Sequence, residues 1–110
     1  MRKADSLQSL MSHIARVWVC NPHRYPALAG MSAEERKNFL LKHSLLHIAK
    51  TAAKVAAVCE SFDHAGHGSP EDEEALKVAA TKMVVNALKL AEEAGLTAEE
   101  LFARAPQYIT

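Results

Sequence analysis

The chain is 110 residues long, the length of one domain, and 49% of it is hydrophobic, enough for a packed core and too much for a disordered tail. Its 13 Lys and Arg are balanced by 13 Asp and Glu, so no whole-molecule field draws it to nucleic acid or to an anionic membrane. No apolar run approaches the roughly 20 residues that span a bilayer, and the alanine- and leucine-rich composition, with 5% aromatics, favours helices over strands.

Met1-Arg2-Lys3 is followed by Asp5, Ser6, Gln8 and Ser9 rather than by an apolar run. No secretory leader is read there, and a cytoplasmic location is expected. Leu7, Leu10, Met11, Ile14, Val17 and Trp18 then recur at helical spacing, predicting a first helix over about 6–19 that Asp5 or Ser6 caps and Asn21-Pro22 stops. A loop follows over 21–31, carrying His23, Arg24 and Tyr25. Ser32-Ala33-Glu34-Glu35 is a capping box that opens a long helix running to about Phe62. Leu41, Leu45, Ile48, Ala52, Val55, Cys59 and Phe62 form its expected core stripe. Asp63 to Gly68 read as a turn, and Ser69-Pro70-Glu71-Asp72 as the capped start of a third helix. Leu76, Ala80, Met83, Ala87, Leu90 and Ala94 mark the buried face of that helix, and Gly95 ends it. Thr97-Ala98-Glu99-Glu100 caps a short last helix that stops before Pro106.

The expectation is one all-α domain over 1–110: a helical bundle with two long antiparallel helices, a shorter N-terminal helix and a short C-terminal one. Cys20 and Cys59 form no C-x-x-C pair and are expected to be two buried reduced thiols. A helix of about 30 residues is roughly 45 Å long and overhangs a compact domain about 34 Å across. Val78 and Val85 add a second apolar strip on the third helix. Both features predict a homo-oligomer, a dimer or larger.

Opposite the core stripe, His43, His47, Lys50 and Lys54 are spaced 4, 3 and 4 and fall within about 60° of one another around the helix. They make a ridge of nitrogen donors with no acid interleaved. Lysine suits phosphate as a compact cation, and imidazole titrates near neutral pH. The competing interpretation is a solvated polar face. His43 and His47 have the i, i+4 spacing of metal ligands, but two imidazoles are insufficient, and His64 lies about 25 Å further along the axis. No tightly bound metal and no cofactor is expected. The Asp63-His64-Ala65-Gly66-His67 segment fits a helix C-cap, and the acids Glu71 to Glu74 complement a helix N-terminus. No nucleophile motif, P-loop or dinucleotide loop is present, so no catalytic residue is assigned and the sequence does not establish whether the chain is an enzyme.

The order of elements, a long helix, a polar turn, a second long helix ending in Leu-Ala-Glu-Glu-Ala-Gly-Leu and a short Thr-Ala-Glu-Glu-Leu helix, resembles the all-α nucleoside-triphosphate pyrophosphohydrolases of the MazG-like group. The resemblance covers about 39–105 and is best over 88–101. Active members hold Mg²⁺ with glutamates four apart on the first long helix and a Glu-x-x-Asp on the second. Counted back from Gly95, the second pair falls on Ala79 and Lys82, and the first falls near Lys50 and Lys54. The resemblance therefore implies a fold of this group without its metal site, with lysines placed to bind a phosphorylated small molecule or nucleotide directly. The alternative is a non-catalytic helical interaction or oligomerisation module. A third possibility is a metal-dependent enzyme using His43, His47 and a partner chain's turn.

Overall fold

The computed structural model describes residues 6–109. They form helices α1 (Leu7–Val17), α2 (Ala33–Ala65), α3 (Pro70–Glu93) and α4 (Ala98–Arg104), with 3-10 turns at Pro26–Leu28 and Ala105–Tyr108. No strand occurs among the described residues. The two long helices pack against each other, and α1 lies against α3 and α4. Among the described residues no helix is long and apolar enough to cross a membrane.

The helix ends follow their capping chemistry. The Ser6 hydroxyl accepts from the Ser9 amide at 3.1 Å. In the Ser32/Glu35 box the Glu35 amide donates to the Ser32 hydroxyl and the Ser32 amide to the Glu35 carboxylate, both at 3.2 Å. Ser69 and Asp72 form the same reciprocal pair at α3, with Pro70 in the first turn. Each box satisfies orphan amide donors at a helix start. Gly95, at φ +84°, ends α3 in a Schellman turn, with the Leu96 amide donating to the Ala91 carbonyl at 2.9 Å. α2 runs to Ala65, three residues past Phe62, before Gly66 turns the chain at φ +77°. Asp63 and His64 thus belong to its last turn, where His64 meets Glu60 at 3.6 Å on an exposed surface.

The rotational setting of α2 differs from the expected stripe. Its buried residues are Ser44 and Thr51, flanked by half-buried Leu41, Ile48, Val55 and Phe62, whereas Leu45, Ala52 and Cys59 are exposed. The inward face is turned toward the histidine side of the helix. Small hydroxyl residues permit close approach to α3, and Thr51 loses no hydrogen bond there because its hydroxyl donates to the His47 carbonyl one turn back, at 2.8 Å. On α3, Leu76, Met83 and Leu90 are half-buried as expected, but Ala80, Ala87 and Ala94 are exposed and Ala79 and Asn86 are buried. Of the two thiols, Cys20 is half-buried and Cys59 is exposed. Burial pushes the Cys20 thiol above its ordinary pKa.

The main core lies where α1, the C-terminal half of α3 and α4 meet. Met11, Ile14, Leu88 and Ala91 are buried there, with Leu10, Trp18 and Val85 packed against them. Val85 is half-buried, packing on this core while lining the groove between α2 and α3, and Val78 is 42% exposed further along the same groove. The expected overhang is present: the extents are 51 × 34 × 33 Å.

Candidate functional site

A polar clasp joins the middles of the long helices. Asn86 of α3 is buried, and its amide donates to the Thr51 hydroxyl at 2.8 Å and to the His47 carbonyl at 3.3 Å. The clasp fixes the register of α3 on α2, because sliding by one turn would strand a buried amide. Asn86→Ala is expected to cost about 1–2 kcal/mol, the value of losing buried hydrogen bonds whose acceptors are partly satisfied from their own helix. Chemical denaturation measures it.

Beside this clasp a cleft of about 340 Å³ opens between α2 and α3. Thr51 and Asn86 lie in its wall, and Lys50, Lys54 and Lys82 surround it, with no acid among the lining residues. None of the three lysines makes an ion pair with a described residue. A larger hollow of about 710 Å³ adjoins it and shares Lys54 and Lys82. Val58, Val78 and Ala79 give that hollow an apolar wall, and Glu71 and Glu74 also line it. Lys50, Lys54, Ala79 and Lys82, the four positions singled out by the sequence resemblance, all line one or both of these hollows.

The expected ridge is divided. Lys50 and Lys54 are exposed at the cleft and His47 lines it, but His43 does not. The two histidines form a half-buried pair, Nε2 to Nε2 at 3.1 Å, in which one ring donates and the other accepts. His43 stacks on Phe39, with centroids 5.9 Å apart, and meets the Tyr25 ring edge-on at 4.8 Å. His47 meets Trp18 edge-on at 5.1 Å, and Trp18 Nε1 donates to the Tyr25 hydroxyl at 3.1 Å. The pair thus anchors the segment after α1 onto α2. Lys82, Thr51 and Asn86 were outside the ridge. Lys82 had a signal only in the resemblance, and Thr51 and Asn86 had none beyond being polar residues amid apolar spacing.

Burial holds the His47 pKa below its ordinary 6.5, and the neighbouring His43 and Lys50 charges push the same way. Folding therefore disfavours the proton. The stability tied to neutral His47 is complete above the unfolded value, about 6.5, and is lost as pH falls through the lower folded value. The melting temperature is expected to drop as pH falls below about 6.5. His47→Gln, which cannot titrate, should flatten that drop, and melting curves across the pH series test it.

On the core side of Trp18 sits a buried cation. Lys89 has a side chain 5% exposed, and its ammonium lies 3.2 Å from Glu93 and 3.3 Å from Glu92. It also donates to the Trp18 carbonyl at 3.1 Å, satisfying an acceptor at the end of α1, and stands 5.8 Å from the Trp18 ring centroid. Burial pulls the Lys89 pKa down, but the hydrogen bond to Glu93 and the charges of Glu92 and Glu93 outweigh it, and the net direction is up.

Among the described residues no three His, Cys, Asp or Glu side chains converge where a metal ion would sit. No known protein family, curated protein or solved structure matches the chain. The chemistry of the cleft therefore rests on its own residues. Three ammonium groups that make no ion pair with a described residue surround a cleft whose wall is partly hydroxyl and amide, a set of groups suited chemically to an anion, and the adjoining hollow has a largely apolar wall.

Proposed function

We propose that the α2–α3 cleft binds a phosphorylated small molecule, with a nucleotide as the class that fits it. The observation that carries this is the convergence of Lys50, Lys54 and Lys82, without an opposing acid, on one cleft that opens into an apolar hollow. A phosphate placed among the lysines leaves a ring-sized body to pack against Val58, Val78 and Ala79. Glu71 and Glu74 repel phosphate from the larger hollow, so they favour one direction of binding, and their carboxylates can accept from amino or hydroxyl groups of the body.

The resemblance to the MazG-like group adds a second line of support. Where active members of that group hold Mg²⁺ with acids, the second pair falls on Ala79 and Lys82 of this chain and the first falls near Lys50 and Lys54. On this reading the ammonium groups supply the positive charge that a metal supplies elsewhere, and the site binds without metal-dependent hydrolysis. The alternative, an interaction module making protein contacts only, is equally compatible with the exposed Lys50, Lys54 and Lys82 of the unliganded chain. A melting-temperature panel of nucleoside mono-, di- and triphosphates and inorganic pyrophosphate separates the two. Stabilisation by at least one member is expected, and a flat response across the panel contradicts the proposal.

A further inference from the structure

The side of the α2–α3 hairpin away from the lysine cleft is apolar and uncovered. On α2, Leu45, Ala49, Ala52, Ala56 and Cys59 are all exposed and are spaced 4, 3, 4 and 3, the repeat of a coiled-coil seam. On α3, Ala80, Val84 and Ala87 follow the same repeat and Ala94 continues it one heptad on, all exposed. Leu45 is 58% and Val84 55% exposed, large side chains to leave in water. At 100° per residue the α2 seam lies roughly 160° around the helix from Lys50 and Lys54. In an antiparallel pair the two seams fall on the same side, so they make one continuous face.

The exposed area matches the demand of a second copy of this chain. The chain exposes 8066 Å². A compact monomer of 12.0 kDa exposes about 6000 Å². The excess, about 2000 Å², is what each chain buries in a large obligate homodimer. The radius of gyration agrees, at 16.7 Å against about 13 Å for a compact chain of this length. Charge supplies the register. Lys42 flanks one end of the α2 seam, and Glu60 and Asp63 flank the other. A second α2 running antiparallel and centred on Ala52 brings Lys42 opposite those acids, whereas a parallel one sets like charges together.

We infer that a second copy of this chain docks on this face, α2 antiparallel to α2, closing a four-helix bundle around a two-fold axis near Ala52 and leaving both lysine clefts open on the outer sides. Small residues along the seam let the backbones approach closely, with Leu45 and Val84 filling the space between layers.

Light scattering on the full chain at high micromolar concentration tests this, with a mass of twice 12.0 kDa expected. Ala52→Glu sets two carboxylates face to face at the axis and should weaken the dimer by about 100-fold. Ala57→Glu, on the exposed surface off the seam, should leave the dimer unchanged. Lys42→Glu should weaken it, and adding Glu60→Lys and Asp63→Lys should restore it, which tests the register with variants that leave the seam intact. A monomeric wild-type chain, a dimer indifferent to Ala52→Glu, or no recovery on charge reversal overturns the inference.

Discussion

Lys89→Ala is expected to cost about 3–5 kcal/mol, the loss that follows when one partner of a buried ion pair is removed. Total stabilities of single domains run to about 5–15 kcal/mol, so the variant should unfold at far lower urea. The effect is large because two shielded groups lose their partner together, the Glu93 carboxylate, whose side chain is 14% exposed, and the Trp18 carbonyl at the end of α1, while Glu92, at 37% exposed, is resolvated and adds little. The double change Lys89→Met with Glu93→Leu removes cation and acid at once and should recover much of the loss, since apolar replacements of buried pairs are often close to neutral. The pH dependence has a definite sign. With its folded pKa raised, Lys89 contributes its full stability below its ordinary value of 10.5, and that contribution disappears as pH rises through the higher folded value. Urea denaturation of the three proteins at neutral pH, and of the wild type at alkaline pH, measures both effects.

The second large effect is on ligand-linked stability. A ligand that binds only the folded chain, present at about a hundred times its dissociation constant, adds about 2.7 kcal/mol. For a chain of this length that raises the melting temperature by on the order of 10 °C. Lys54 and Lys82 line both hollows, so Lys54→Glu and Lys82→Glu each place a carboxylate where phosphate would sit and should each abolish the shift. Neither should disturb the unliganded fold much, because both side chains are exposed and make no ion pair with a described residue. Lys77→Glu, on an exposed position outside both hollows, should leave the shift intact.

The helix boundaries were legible because punctuation in this chain is strong. Ser32/Glu35, Ser69/Asp72, Thr97 and Gly95 each combine a residue type with a backbone role that few alternatives satisfy, and each acts as read. Which way α2 faces was not legible. Alanine and leucine occupy more than one side of it, so apolar periodicity alone does not choose between the arc that meets α3 and the arc that stays exposed. The choice falls to Thr51 and Asn86, polar residues that satisfy one another and the α2 backbone once buried beside small Ser44, and polarity alone would place them outward. Lys89 was hidden for the same reason, although Glu92 and Glu93, three and four residues on, are the spacing of an intrahelical clasp. In the candidate site, Lys50 and Lys54 were visible as a local pattern. Lys82 joins them only through the tertiary pairing of α2 with α3, and His43 is drawn into an aromatic cluster by Tyr25, which is 18 positions away in the chain.

Calorimetric titration of the full chain with inorganic pyrophosphate and with nucleoside triphosphates tests most directly whether Lys50, Lys54 and Lys82 form one phosphate site, as proposed. Saturable binding to each chain is expected, with Lys54→Glu and Lys82→Glu each eliminating it. Affinity should fall as ionic strength rises from about 0.01 M to about 0.15 M, where the screening length contracts from about 30 Å to about 8 Å. No measurable binding at low ionic strength, or binding that survives both substitutions, would contradict the claim.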